Sequence, residues 1–201
     1  AGSGRTDRGV HALGQTASTQ LPPIHPPAVL LRALNFHLPP GVRVLSVRRE
    51  KPKFHARFSA RGKTYRYRIV NSPVLHPLEI GRAWHVPRPL DLTSVRRAAR
   101  LFVGKHDFAS FTSNPGYERE STVRRLRSIR ISRKPGNVLE LSFDGDGFLY
   151  RMVRNLVGAL VKVGHDRLSV ADLKKILSAR SRAGAPPTAP AEGLYLLQVR
   201  Y

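Results

Sequence analysis

One carboxylate near the start of the sequence has the surroundings of a reacting group. Asp7 lies in the stretch GRTDRG, residues 4–9, between two arginines and two glycines. Neighbouring guanidinium groups favour the ionised carboxylate, and glycine lets the backbone bend tightly around it. Asp7 is therefore a candidate nucleophile. The alternative is a plain turn in which Asp7 caps backbone amides, because Asp and Gly are both common turn residues.

A second segment combines aromatic and cationic side chains. In residues 64–69, TYRYRI, the tyrosines Tyr65 and Tyr67 alternate with Arg66 and Arg68. Side chains alternate between the two faces of a strand, so one face would be aromatic and the other cationic. Such a strand could stack on a base and bind phosphates at the same time. An ordinary amphipathic strand with its tyrosines in the core is the commoner structure.

The charge balance also indicates an RNA or DNA partner. The 201 residues include 35 Lys and Arg against 13 Asp and Glu, which gives a formal net charge of +22, and most of the basic residues are arginine. Arginine forks onto phosphates and stacks on bases, so nucleic acid is favoured over a membrane surface. A GC-rich genome would also favour arginine codons, but it would not explain the scarcity of acids.

Several classes of protein are excluded by composition. With 41% hydrophobic residues the chain can bury a core, and without cysteine it has no disulfides, thiolate zinc sites or cysteine nucleophiles. No apolar run is long enough to span a bilayer, and no signal peptide is visible. We therefore expect a cytoplasmic protein without a membrane partner. Since the chain opens on the glycine-rich stretch and not on Met, we also expect a missing piece upstream.

Periodicity and capping residues predict alternating helices and strands. Strands are expected over residues 15–20, 42–47, 64–69, 123–132, 138–143 and 194–201. Helices are expected from Pro26 to about residue 38, after the cap Asp91, after residue 148, and after the cap Ser169. A change of composition around residues 87–89 predicts two parts, 1–86 and 87–201.

The helix expected after residue 148 links Asp7 to the other end of the chain. It is apolar on most sides, and hence buried, yet it carries Arg151 and Arg154. A buried guanidinium normally has an anionic partner, and Asp7 is a candidate because acids are few. The pair His106 and Asp107 resembles a catalytic dyad, but sequence neighbours rarely face each other, so a structural role is favoured. The Asp/Gly run at 144–147 lacks the further oxygens of a calcium loop.

Five motifs, taken in order, resemble the TruA family of tRNA pseudouridine synthases nearly from end to end. They are residues 4–7 with 9–12, 54–57 with 63–67, 106–108, Phe148 with 152–155, and 188–196. The resemblance implies an α+β pseudouridine synthase fold in which two ferredoxin-like halves join their mainly antiparallel sheets around a central basic cleft. It further implies a homodimer that grips tRNA, modification in the anticodon stem-loop around positions 38 to 40, and no metal or cofactor.

The resemblance also assigns roles to individual residues. Asp7 is similar to the catalytic aspartate, Tyr65 to the tyrosine that stacks on the uracil and can help in proton removal, and Arg154 to the arginine that pairs with the aspartate. Arg5 is similar to the arginine that helps to displace the base from its stack. The residues expected to bind substrate are Arg5, Arg8, His11, Arg57, Lys63 and Arg66.

The implied chemistry breaks the N-glycosidic bond, turns the uracil in the pocket and rejoins it through carbon 5, after attack by the carboxylate on either the base or the sugar. Two alternatives from other classes stay open. One is a truncated RNA-binding protein without catalysis, and the other is a basic structural protein of a ribonucleoprotein particle. An aspartic hydrolase would need a second carboxylate near Asp7, and the sequence offers none nearby.

Overall fold

A computed structural model of the chain describes residues 1–22, 25–114, 116 and 120–201. The helices of this part are α1 (Pro27–His37), α2 (Leu92–Arg100), α3 (Met152–Gly164) and α4 (Val170–Ala179). The strands are β1 (His11–Ala12), β2 (Gly62–Val70), β3 (Trp84–His85), β4 (Gly104–Asp107), β5 (Val123–Lys134), β6 (Val138–Gly145) and β7 (Leu194–Arg200). No helix in these ranges has the length and apolar composition to cross a bilayer.

The strands form one mixed sheet in the order β1-β7-β2-β6-β5-β4, and β3 pairs with β2 beyond the end of β7. Strands β7, β2, β6, β5 and β4 run antiparallel to one another in that order, whereas β1 is parallel to β7 and β3 is parallel to β2. The β5–β6 hairpin turns at Pro135–Asn137, where Gly136 takes a φ of +72° that glycine adopts without strain. The α+β class is thus confirmed.

One face of the sheet carries the core. Tyr67, Leu141 and Phe143 point into it and are almost fully buried. Helix α3 lies on this side and buries every residue except Arg154 and Lys162. An all-round apolar helix has no other stable position. Its two partly exposed cationic side chains therefore mark where the core meets solvent.

Most predicted elements are confirmed, including the caps of two helices. The Asp91 side chain accepts from the Thr93 amide, and Ser169 forms a capping box with Asp172 at the start of α4. The division into residues 1–86 and 87–201 stays a prediction. Strands from both ranges share the one sheet.

Two predicted strands are wrong. Residues 15–20 contribute only an isolated bridge between Gly2 and Ala17, because this segment runs beside residues 1–3 and not along the sheet. Residues 42–47 have no ladder, because the Asn35 side chain takes both backbone groups of Val44, each at 2.8 Å. Valine-rich spacing alone cannot supply the neighbouring strand that a sheet requires.

Candidate active site

The segment that carries Asp7 forms a tight turn next to β1. The Val10 amide donates to the Asp7 carbonyl at 3.0 Å, and Gly9 has a φ of +84°, a left-handed conformation that favours glycine. The backbone turn expected here is therefore present. Among the described residues, however, the Asp7 carboxylate receives its hydrogen bond from Arg154 and none from a backbone amide.

Two guanidinium groups from the start of α3 meet the Asp7 carboxylate. Arg154 Nη1 donates to Asp7 Oδ2 at 2.5 Å, and Arg151 Nε lies 3.8 Å from the same oxygen. The Arg154 and Asp7 side chains are only 13% and 21% exposed, whereas Arg151 is 40% exposed. The ion pair expected between this helix and Asp7 is present. Within the described residues, Oδ1 of Asp7 accepts no hydrogen bond.

The backbone of Ala189 holds both the guanidinium and the main chain of Arg154. Its Nε donates to the Ala189 carbonyl at 2.8 Å, and the Ala189 amide donates to the Arg154 carbonyl at 3.1 Å. Because the guanidinium is planar, a bond at Nε sets the plane in which Nη1 reaches Asp7. A lysine at this position could not make both contacts.

Tyr65 lies on β2, close enough to Asp7 for the charge of that carboxylate to act on its hydroxyl. Its ring packs edge-on against Phe148, with ring centroids 5.0 Å apart. Burial, and after it the negative charge of Asp7, raise the pKa of the Tyr65 hydroxyl to about 12. Tyr65 therefore keeps its proton at neutral pH. Tyr67, the other tyrosine of this strand, is fully buried and donates to the Pro190 carbonyl at 2.7 Å, so it is a core residue.

Three of the predicted substrate-binding residues are exposed. Arg5 and Arg8 flank Asp7 and are open to solvent, and the guanidinium of exposed Arg57 lies 5.6 Å from the centroid of the Phe58 ring. The Phe58 ring is itself exposed. These three cations are available to a large anionic ligand.

The other three predicted binding residues make internal contacts. Lys63 Nζ donates to the Ser3 carbonyl at 2.8 Å, and burial, followed by the charge of Arg57, lowers the pKa of its ammonium group. His11 bonds through Nε2 to the Gly81 carbonyl at 2.9 Å and stacks on Tyr195 at a centroid distance of 4.5 Å.

Arg66 is separated from Tyr65 by the sheet itself. It points to the opposite face, where Nη1 lies 3.4 Å from Glu140, while its buried Nε has no hydrogen-bond partner in the described part of the chain. The sequence pattern placed Arg66 and Tyr65 on different faces, and a ligand against Tyr65 would not meet both.

The His106 and Asp107 pair is structural, as favoured from the sequence. Asp107 Oδ1 accepts from the Thr122 hydroxyl at 2.6 Å and from the Ala109 amide at 3.0 Å, while His106 bonds to the Val103 carbonyl. No group of three or more His, Asp or Glu side chains in the described ranges is arranged to hold a metal ion.

Phe148 and Arg151 were not assigned a catalytic or binding role from the sequence, although Arg151 was expected, with Arg154, on the helix that pairs with Asp7. Phe148 packs on Tyr65, and Arg151 adds the second guanidinium. Arg151 adopts a φ of +58° just before α3, a conformation that is uncommon outside glycine, and its guanidinium lies 4.9 Å from the centroid of the Tyr150 ring. The closeness of Arg151 to Arg154 in the sequence was the available signal for its role. The positive φ that turns Arg151 toward Asp7 has no signature in the sequence.

Together these residues form a carboxylate with one oxygen hydrogen-bonded and the other not, beside a protonated phenol and an aromatic ring. Such an arrangement can hold an attacking oxygen ionised while a flat, planar group rests on Tyr65. Exposed arginines around it can bind a polyanion.

One family model and three similar proteins point to the same family. The family model described as tRNA pseudouridine synthase matches residues 98–201, which include Arg154. Proteins named tRNA pseudouridine synthase A from Methylacidiphilum infernorum and Limosilactobacillus fermentum are 52% and 44% identical, and each alignment covers 100% of this chain and 78% of the relative. The protein of that name from Rhodospirillum rubrum is 42% identical over 100% of this chain and 72% of its own length.

Proposed function

The chain belongs to the tRNA pseudouridine synthase family and is an isomerase of the pseudouridine synthase type, and we propose that Asp7 is the nucleophile of its reaction. The observation that carries this proposal is the asymmetry of the carboxylate. Arg154 donates to Oδ2 and Arg151 approaches the same oxygen, while Oδ1 accepts no hydrogen bond in the described part of the chain. A carboxylate that only closed a turn or an ion pair would not need a free, oriented oxygen.

The proposed sequence of steps uses the residues around Asp7. The target uridine leaves its stack and enters the site, because its reacting edge is inaccessible inside stacked RNA. Asp7 attacks either the base or the sugar, the N-glycosidic bond breaks, the uracil turns and carbon 5 bonds to the ribose, while the bond to Asp7 made in the first step is broken again. Carbon 5 loses its proton and N1 gains one, so the product is an isomer of the substrate. The Arg154 guanidinium donates to Oδ2 and holds the carboxylate in a fixed orientation for attack.

Tyr65 serves in this proposal as a platform for the uracil. Its pKa, raised to about 12 by burial and by Asp7, leaves almost no phenolate at neutral pH. This supports a stacking and hydrogen-bonding role over that of a base that removes a proton. Phe148 supports the ring edge-on, so Tyr65 presents a fixed surface to the base.

The basic side chains provide the surface for tRNA. Arg5 and Arg8 are exposed and flank Asp7 in sequence, exposed Arg57 acts electrostatically on Lys63 of β2, and further exposed arginines lie on β5. We assign phosphate contacts to Arg8 and Arg57 and displacement of the target base to Arg5, since it lies two residues before Asp7. Lys63 and His11 shape the Asp7 segment from within, and Arg66 meets RNA only on the opposite face of the sheet.

The finer points of substrate and assembly follow from the family resemblance. We propose that the target is the anticodon stem-loop, around positions 38 to 40 of the tRNA, and that a homodimer of two-halved subunits, divided near residue 86, binds it in a basic cleft. Cytoplasmic tRNA is the expected pool of substrate. The net charge of +22 supports binding that weakens steeply with salt.

The test is incubation of unmodified tRNA with the protein, followed by a pseudouridine-specific chemical readout. Wild-type protein should form pseudouridine, whereas Asp7→Asn should bind tRNA and form none, because the amide keeps the shape but loses the attacking oxygen. Asp144→Asn is a matched control. Asp144 is 23% exposed and is held by Arg200 at 2.5 Å and Arg127 at 3.3 Å, on the face of the sheet away from Tyr65.

The outcomes separate the competing functions. Pseudouridine from well-folded Asp7→Asn would remove Asp7 as nucleophile. Wild-type protein that binds tRNA without modifying it would favour the RNA-binding alternative. Loss of activity in Asp144→Asn to the same degree as in Asp7→Asn would mean that any broken ion pair inactivates the protein, and the special role of Asp7 would be lost.

A further inference from the structure

A loop far from Asp7 in sequence touches every segment that builds the site. This loop, residues 182–191, is here called the clamp loop. Its Ala189 bonds to Arg154 on α3, its Pro190 carbonyl accepts from Tyr67 on β2, and its Ala191 lies against Gly9, where an added Cβ would come 3.4 Å from the Ala191 Cβ. The position of the clamp loop therefore sets the position of Arg154 relative to Asp7.

The clamp loop is fastened to α3 by a buried polar group. Asn155 follows Arg154 and is 0% exposed. Its Oδ1 accepts from the Thr188 hydroxyl at 2.6 Å and from Arg182 Nη2 at 3.3 Å, while its Nδ2 donates to the Phe111 carbonyl at 2.9 Å. A buried amide with all these bonds made holds its partners in one geometry, since leaving any of them unmade is costly.

Two further features bring the loop close to the helix. A Cβ at Gly158 would overlap the Pro187 carbonyl oxygen, so glycine is needed there for the loop to lie on α3. The loop also contains Pro186, Pro187 and Pro190, whose fixed φ and restricted preceding residues reduce the conformations open to the free loop. The loop is thus stiff by sequence and lies directly on α3.

We infer that Thr188 is a positioning residue for the reaction: its hydroxyl, bonded to Asn155, holds the clamp loop so that the Ala189 carbonyl orients the Arg154 guanidinium toward Asp7. This inference rests on the proposed roles of Asp7 and Arg154. Thr188 itself does not touch the Asp7 carboxylate. Without its hydroxyl, the Ala189 carbonyl is less firmly placed and Arg154 samples orientations in which Oδ2 of Asp7 is not held.

The test measures kcat, KM and tRNA affinity for Thr188→Val, which keeps the shape and removes the hydroxyl. We expect kcat to fall about tenfold, which corresponds to about 1.4 kcal/mol, with tRNA affinity unchanged within about twofold. Thr188→Ser restores the hydroxyl and should restore most of kcat. Thr122→Val is the matched control, because Thr122 is also half-buried and also donates at 2.6 Å to a side-chain oxygen, on Asp107.

Three results would overturn the inference. They are an unchanged kcat in Thr188→Val, an equal fall in Thr122→Val, and a Thr188→Ser variant no better than Thr188→Val. If Thr188→Val folds poorly, Thr188→Ala removes the same hydroxyl without placing a methyl group against Asn155 Oδ1, and an unchanged kcat in that variant also overturns the inference. An active Asp7→Asn in the same assay overturns the proposed function as well, whereas an inactive Asp7→Asn with a normal Thr188→Val overturns this inference alone.

Discussion

The pair of Asp7 and Arg154 should show strong coupling in a double-mutant cycle of stability. Both side chains are largely buried, at 21% and 13% exposure, and their polar atoms are 2.5 Å apart. Removing one partner of a buried pair costs about 3 to 5 kcal/mol, because a charge is left in a poorly solvated place. Arg154→Met also leaves the Ala189 carbonyl without its donor, at about 1 kcal/mol.

Arg151 determines how large the loss of folding stability in Arg154→Met should be within the range of about 3 to 5 kcal/mol. It lies 3.8 Å from Asp7 and is partly solvated, so it screens the carboxylate that Arg154→Met leaves behind. We therefore expect Arg154→Met to cost about 3 kcal/mol, near the lower end for a buried pair. Adding Asp7→Asn removes the uncompensated charge, so the double variant should be more stable than the sum of the single losses by about 1 to 3 kcal/mol.

The measurement is urea unfolding at equilibrium. Trp84 is the only tryptophan, and its ring lies edge-on to buried Tyr67 at 6.3 Å, so its fluorescence reports on the core. Asp144→Asn combined with Arg154→Met is the control cycle and should be additive, because Asp144 pairs with other arginines on the opposite face of the sheet. Additive losses for Asp7 and Arg154 within about 0.5 kcal/mol would refute the buried-pair argument.

Two further predictions concern Tyr65 and Arg5. Burial and Asp7 raise the pKa of Tyr65 from 10 to about 12, so between these pH values the folded state keeps a proton that the unfolded state releases. The contribution of this proton to the free energy of unfolding is complete below pH 10 and is lost as pH rises through about 12. Between pH 10 and about 12, Tyr65→Phe should therefore lose less stability than wild type, by up to about 3 kcal/mol. Urea titrations across this pH range measure the difference, and parallel curves of stability against pH for the two proteins would contradict it. Arg5→Ala should lower the rate of modification more than tRNA affinity, measured by kcat and by filter binding, and equal losses would make Arg5 an ordinary phosphate contact.

The sequence was most informative where a local rule decides the structure. Caps at Asp91 and Ser169, and the alternation along β2, depend on residues close in sequence, and these predictions are confirmed. Residues 42–47 have strand-like spacing, but a strand needs a partner, and the Asn35 side chain occupies the Val44 backbone instead. Likewise, α1 has its expected apolar residues and yet buries none of them.

The site was predicted only in part, because some of its contacts likewise depend on residues that are far apart in the sequence. The scarcity of acids made Asp7 the natural partner for a buried guanidinium, and this argument reached Arg154 across 147 residues. The contributions of Phe148 and Arg151 depend on the turn before α3, where the φ of +58° at Arg151 has no signature in the sequence. His11 and Lys63 were expected to bind substrate, but their polar atoms are taken by backbone carbonyls that only the fold brings near.

Strand β7 explains why these distant segments meet. Its residue Leu196 pairs with Ala12 of β1 on one side and with Tyr65 of β2 on the other, and its carbonyl also accepts from Leu13 at 2.8 Å. The Asp7 turn and Tyr65 are thus aligned by a single residue of β7, a strand that begins at Leu194, shortly after the clamp loop ends at residue 191. A slip of β7 by one residue would reverse which side chains face the core and would separate Tyr65 from Asp7. The register of this one strand therefore decides whether the Asp7 turn and Tyr65 lie side by side, and so whether the site exists.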